Sequence, residues 1–217
     1  MCGRYAFNKR YKDIAEVIDL EIPSDGAGSS NIAPSETVPV IKAAADSLAF
    51  DTMKWGYVPG WPNGPKFIIN LRSETILEKK FASSALQSRR CVLPATSFLE
   101  WMKITEKEKH PVLFELLNGG IFGLAGIYFA DAKGQEQCLL LTTAANELVT
   151  PVHDRMPVML KPQDWSSWIL EKNAKKAVDN FAKPFAASEM DAWKVDKQVS
   201  KAAYKGEVAR EERVLAA

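Results

Sequence analysis

The chain has 217 residues, 47% hydrophobic and 25% charged, with a formal net charge of +1. That is the composition of an ordinary globular protein; it excludes a one-signed field over the whole surface, so a nucleic-acid partner would need a local basic patch. No apolar run is long enough to span a bilayer, and the N-terminus lacks the charged-then-apolar layout of a secretory signal.

Taken in chain order, Cys2 to Phe7 predicts a strand, and Lys9 to Leu20 an amphipathic helix with Tyr11, Ile14, Val17 and Ile18 on one face. Residues 24–30, Ser-Asp-Gly-Ala-Gly-Ser-Ser, read as a loop. Short apolar runs follow at Val38–Lys42, Leu48–Met53, Phe67–Ile69, Arg90–Leu93 and Ser97–Met102, then at Val112–Leu117, Ile121–Phe129 and Cys138–Thr143. Asn118-Gly119-Gly120 predicts a hairpin turn between two of them, and Lys133-Gly134 marks another. Met156 to Leu160 is a further strand; helices are expected at Gln163–Glu171 and Ala174–Ala182. Many short strands and few helices predict an α+β single domain with a mostly antiparallel, barrel-like β core and peripheral helices. The domain is expected over 1–200, with a charged, loosely ordered tail over 201–217.

Three cysteines, Cys2, Cys91 and Cys138, form no CxxC pair, so neither a disulfide framework nor a zinc site is expected, and no cofactor. Cys91 and Cys138 sit in apolar stretches and read as inert core thiols, which points to a reducing, cytoplasmic compartment. Cys2 is different. The chain opens Met1-Cys2-Gly3-Arg4, so loss of Met1 would leave a free α-amine (pKa near ~8) and a thiol (near ~8.5) on adjacent carbons. Such a pair traps an aldehyde twice, as an imine on nitrogen and then as a five-membered thiazolidine through sulfur. The bland alternative is an incidental cysteine at a frayed end.

Four polar segments stand out beside it. Asn31-Ile32-Ala33-Pro34 is a turn in which Asn31 could brace the backbone. In Asn70-Leu71-Arg72-Ser73-Glu74-Thr75, Asn70 and Arg72 project from one face of an extended segment and suit a sugar-phosphate, or else Arg72 pairs with Glu74. Glu100, between Leu99 and Trp101, is a carboxylate whose burial would raise its pKa for proton transfer, or an edge-strand ion-pair member. His153, in Pro151-Val152-His153-Asp154-Arg155-Met156-Pro157, is an acid/base candidate or a structural loop residue. The loop Trp55-Gly56-Tyr57-Val58-Pro59-Gly60-Trp61-Pro62 offers Trp61 at its tip for base stacking.

In this order, together with Leu141-Thr142-Thr143-Ala144-Ala145-Asn146 and a weaker Val199-Ser200-Lys201, these segments resemble the SRAP family, the SOS response-associated peptidases or abasic-site processing proteins. The resemblance implies the SRAP fold and a Cys2 that, freed of Met1, crosslinks to the ring-opened aldehyde of an abasic site in single-stranded DNA, shielding the lesion in the SOS damage response. By motif position Asn70 would orient the sugar, Glu100 would relay protons and His153 would act on the sugar oxygen. Arg4, Arg72 and Arg155 would contact phosphates; Pro34, Trp61, Trp101 and Lys79 would complete the DNA site. The sequence departs from the family pattern at Leu71, where alanine is usual, at Ser97, where glycine is usual, and at Pro62.

Two other readings stay open: a cysteine peptidase with Cys2 as nucleophile, its own N-terminus among the candidate substrates, and a non-covalent reader of modified or junction DNA. A monomer, associated with the nucleoid only when on DNA, is the expectation.

Overall fold

In the computed structural model the described residues are 2–23, 25–60, 65, 67–131 and 133–215. The strands, in chain order, are β1 (Arg4–Arg10), β2 (Ala27–Ile32), β3 (Thr37–Ala44), β4 (Ser47–Trp55), β5 (Asn70–Arg72), β6 (Arg90–Ala95) and β7 (Ser97–Lys103). They continue with β8 (Lys109–Leu116), β9 (Phe122–Ala130), β10 (Glu136–Ala144), β11 (Arg155–Pro157), β12 (Met159–Leu160), β13 (Met190–Val195) and β14 (Arg210–Arg213). The helices are α1 (Lys80–Ser88), α2 (Trp165–Leu170) and α3 (Ala174–Phe181).

One sheet runs β14-β13-β8-β7-β1-β2, antiparallel throughout. In the other, pairings pass from β10 to β4, β3, β6 and β9 and return to β10, which closes a barrel-like core around Val92, Leu93, Leu124 and Leu139. Burial is continuous along β6 and through most of β9 and β10, because both faces of those strands are covered. β10 is the hub: it lies parallel to β4 and then β5 along one edge, and antiparallel to β9 and then β11 along the other. The expected α+β class with a barrel-like, sheet-dominated core is what the chain adopts. No helix among the described residues is long and apolar enough to cross a membrane.

Several elements differ from the sequence expectation. The helix predicted from Lys9 is absent; β1 runs through Arg10 and a 3-10 turn covers Tyr11–Glu16. Tyr11, Ile14 and Val17 are spaced by three, which fits a 3-10 repeat as well as an α-helical face. Part of the loop at 24–30 becomes β2. Gly28 permits this, because a Cβ there would lie 1.8 Å from the Phe7 carbonyl oxygen. The turn at Asn118-Gly119-Gly120 joins no hairpin: β8 pairs with β7 and β13 while β9 belongs to the other sheet, so the turn is a crossover. Gly134, by contrast, closes a true β9–β10 hairpin. The strand expected at 156–160 is split at Val158, where the chain changes partner from β10 to β9. Helix α1 and strands β13 and β14 were not anticipated. Residues 201–215, expected to be loosely held, carry β14 at the edge of the first sheet.

Candidate active site

Cys2 precedes β1, and the β1–β7 register, with Arg4 opposite Leu99, carries the chain end alongside Glu100. Cys2 is fully buried, its Sγ 3.6 Å from the Arg4 carbonyl oxygen. From the barrel side, β5 is held against β10 with Asn70 opposite Leu140. Asn70 Nδ2 donates to the Cys2 carbonyl oxygen at 2.6 Å, a contact that joins the two sheets at the start of the chain. Its Oδ1 is buried and has no hydrogen-bond partner among the described residues, so an acceptor remains beside Cys2. Leu71 alternates to the other face and packs in the core, so the bulk it adds to the family pattern is directed away from Asn70.

Burial drives the ionisation of these groups. It pushes the Cys2 thiol far up, and the Glu100 charge adds to the effect, so the sulfur is kept as a thiol at neutral pH. Glu100 is 3% exposed, and burial, reinforced by the charge of Asp154, raises its carboxyl to about 7. His153 is half-buried and its pKa is lowered, first by desolvation, so the imidazole is neutral at pH 7. Glu100 and His153 both feel Asp154 and Lys109, which places them in one electrostatic neighbourhood.

The loop that presents His153 is shaped by Asn146, which accepts N–H groups of Val149 and Thr150 and donates to Phe185 O at 2.8 Å. His153 Nδ1 accepts the Arg155 backbone N–H at 3.0 Å. Where that bond is kept, Nδ1 carries no proton and the neutral ring holds its hydrogen on Nε2; Asp154 Oδ1, 2.9 Å from the same nitrogen, favours the opposite tautomer.

The cations are placed unequally. Arg72 is exposed and no described residue pairs with it; the Arg72–Glu74 pair is not formed. Arg155 takes Glu74 instead, its guanidinium bound through both terminal nitrogens at 2.7 and 2.8 Å and also donating to Thr142 O. A phosphate at Arg155 would have to displace that carboxylate. Arg4 lies 5.9 Å from the Trp101 ring centroid and donates to Ser200 O, while Trp101 Nε1 donates to Ser200 Oγ at 2.9 Å. Lys79 is half-buried just before α1, and Pro34 is half-buried in the turn ahead of Ser35, whose φ is 78°. Trp61 lies outside the described residues.

Asn31 does not brace its own turn. It is fully buried, and its Nδ2 donates to the carbonyls of Val199, Lys201 and Tyr204, tying the C-terminal segment to β2. Sequence reasoning missed this, along with Glu74 as the partner of Arg155 and Ser200 as the shared partner of Arg4 and Trp101. Only the Val199-Ser200-Lys201 motif gave any signal. No cluster of metal-ligating side chains occurs among the described residues.

Residues 1–202 match the sequence model of the family described as SOS response associated peptidase (SRAP). The chain is 31% identical over 211 residues to the abasic site processing protein YoqW of Bacillus subtilis (strain 168), spanning 92% of this chain and 94% of that one. It is 30% identical over 191 residues to the abasic site processing protein YedK of Escherichia coli (strain K12), spanning 84% and 85%. In three dimensions it is similar to a crystallised protein from Bacteroides thetaiotaomicron, with a TM-score of 0.79 at 22% identity over 91% of this chain and 93% of that one.

Proposed function

The chain belongs to the SRAP family, and on that premise we propose that it processes abasic sites in single-stranded DNA by covalent capture on Cys2. The observation that carries the reading is the Asn70 amide clamped on the Cys2 carbonyl at 2.6 Å, beside a buried Glu100. It fixes the residue whose amine and thiol must both reach one carbon.

With Met1 removed, the Cys2 nitrogen is a primary amine. It adds to the C1′ aldehyde of the ring-opened deoxyribose, and loss of water from the carbinolamine gives an imine. The thiol then adds across C=N, sulfur bonding to C1′ and its proton passing to nitrogen, which closes the thiazolidine. Glu100, near pH 7 in its own titration, is suited both to protonate the departing hydroxyl and to accept a proton in the ring closure. His153, with Nε2 protonated, is suited to donate to the sugar oxygen as the ring opens. Holding both partners in place makes ring closure effectively intramolecular, worth roughly 7–11 kcal/mol of barrier in well-oriented systems.

The same electrostatics weigh against the peptidase reading. A thiol held protonated by burial is a weak nucleophile toward an amide, whereas in capture the amine attacks first and the thiol adds only to an activated imine.

The test incubates purified protein, its N-terminal residue established by mass spectrometry, with an oligonucleotide carrying one abasic site. A denaturing gel should show a heat-stable shifted band with the wild type, none with C2A, and with C2S only a band that needs borohydride reduction to survive. An equal band with C2A, or no band from wild type that has lost Met1, would overturn the proposal.

A further inference from the structure

One ion pair joins two segments of the site that lie far apart in the chain. Glu74 sits in the 3-10 turn Ser73–Glu78, directly after β5 and Asn70. Its two oxygens take the two terminal nitrogens of Arg155, and one of those nitrogens also donates to Thr142 O on β10 at 2.7 Å. The Arg155 side chain is only 12% exposed, so this two-pronged contact is sheltered from solvent on the arginine side. The pairing also holds the Glu74 carboxyl below its usual range, so it is ionised at neutral pH.

Arg155 acts on His153 through its backbone. Its N–H points at His153 Nδ1 from 3.0 Å, while Asp154 Oδ1 lies 2.9 Å from the same nitrogen. These neighbours make opposite demands: the N–H requires a bare Nδ1, and the carboxylate requires an Nδ1–H. Whichever is met decides whether Nε2 is a proton donor or an acceptor. Arg155 is the first residue of the three-residue strand β11, opposite Ala144, so strand pairing alone restrains it weakly.

We propose that Glu74 is a positioning residue for the reaction: by holding Arg155 it keeps the Arg155 N–H on His153 Nδ1, and so keeps the imidazole hydrogen on Nε2. This rests on the capture reading only for the use to which that hydrogen is put. Among the described residues, the other charges acting on His153 include Asp154 and Lys109. With Glu74 neutralised, Asp154 takes Nδ1–H and Nε2 becomes a bare acceptor that has nothing to give the sugar oxygen.

The experiment compares wild type, E74Q and E74D, labelled with nitrogen-15, by long-range proton–nitrogen correlation of the imidazoles. His110, on β8, is the reference for an intact fold. His153 should show the Nε2–H pattern at neutral pH in wild type, a partial shift away from it in E74D, and a mixed or Nδ1–H pattern in E74Q. Capture of abasic DNA by E74Q should slow by about tenfold or more, with DNA affinity changed by less than about twofold. An unchanged His153 pattern in E74Q would overturn the inference. So would a fall in rate matched by an equal fall in affinity, which would assign the pair to DNA binding. Should E74Q fail to fold, E74D carries the test: its longer reach to Arg155 predicts a partial shift of the same pattern, and none would count against the inference. If the wild type captures no abasic DNA, the functional reading fails while the imidazole spectra still decide the role of Glu74.

Discussion

A buried carboxyl that titrates near neutrality is a liability to the fold and an asset to proton transfer, and Glu100 is both. Its folded-state pKa stands near 7 against 4.5 for the free side chain, mainly through burial. Between those values the native state binds the proton more tightly than the unfolded chain does. Stability therefore falls as pH rises from about 4.5 through 7, by an amount on the order of a few kcal/mol. E100Q removes that slope. Urea unfolding at pH 5 and pH 8 should show wild type losing stability at the higher pH and E100Q losing less; the same pH dependence in both would mean that Glu100 is not the group responsible. The chemical consequence runs the other way. E100Q should slow crosslink formation by about a hundredfold, within the usual range for a lost acid/base group, while leaving DNA affinity nearly intact. Unchanged kinetics would remove Glu100 from the mechanism.

At the scale of elements, the site is framed by contacts between segments remote in sequence. Asn31 on β2 bonds three carbonyls of the C-terminal segment, and Ser200 in that segment bonds Arg4 and Trp101, which flank Cys2 and Glu100 in the chain. N31A leaves those carbonyls without their donor, at about 1–3 kcal/mol. Hydrogen exchange over residues 197–205 should quicken in N31A before exchange in β10 does; protection identical to wild type would show that the segment is held by other means. This framing also explains what the sequence disclosed. Strands such as β3, β4 and β10 were legible because each is an apolar run with turn residues at its ends. Local patterns that serve two structures were not: the three-residue spacing of Tyr11, Ile14 and Val17 fits both helix types, and Asn118-Gly119-Gly120 reverses the chain without saying which strand receives it. Helix α1 hides its inner face in the small residues Ala82 and Ala85, with Leu86. Within the site, Asn70, Glu100 and His153 stood out as polar groups in apolar or stiff surroundings. Their partners did not, because Glu74 finds Arg155 rather than Arg72 only once β5 and β11 flank the same stretch of β10.

For the whole molecule, a net charge of +1 means that any pull on DNA is local, and many cations are already paired with carboxylates within the fold. Lys205 is paired with Glu36, Arg210 with Glu115, Arg213 with Asp191 and Arg155 with Glu74. Arg72 is exposed, has no described partner, and leaves β5 two residues after Asn70, at the place where the two sheets meet. A phosphate flanking a sugar held at Cys2 would find this guanidinium without displacing a carboxylate. Single-strand affinity should therefore fall with salt by a slope that reflects few phosphates, and R72A should reduce that slope by about 0.7, the share of one phosphate contact on a single strand. The loss should be the same for abasic and intact oligonucleotides, since the contact reads the backbone and not the lesion. Titration by fluorescence anisotropy at several salt concentrations, with C2A as background to exclude covalent capture, measures both. If R72A weakens binding to the abasic strand alone, Arg72 acts on the lesion instead. If the slope is unchanged, the phosphate lies elsewhere and Arg155, released from Glu74, becomes the cation to test.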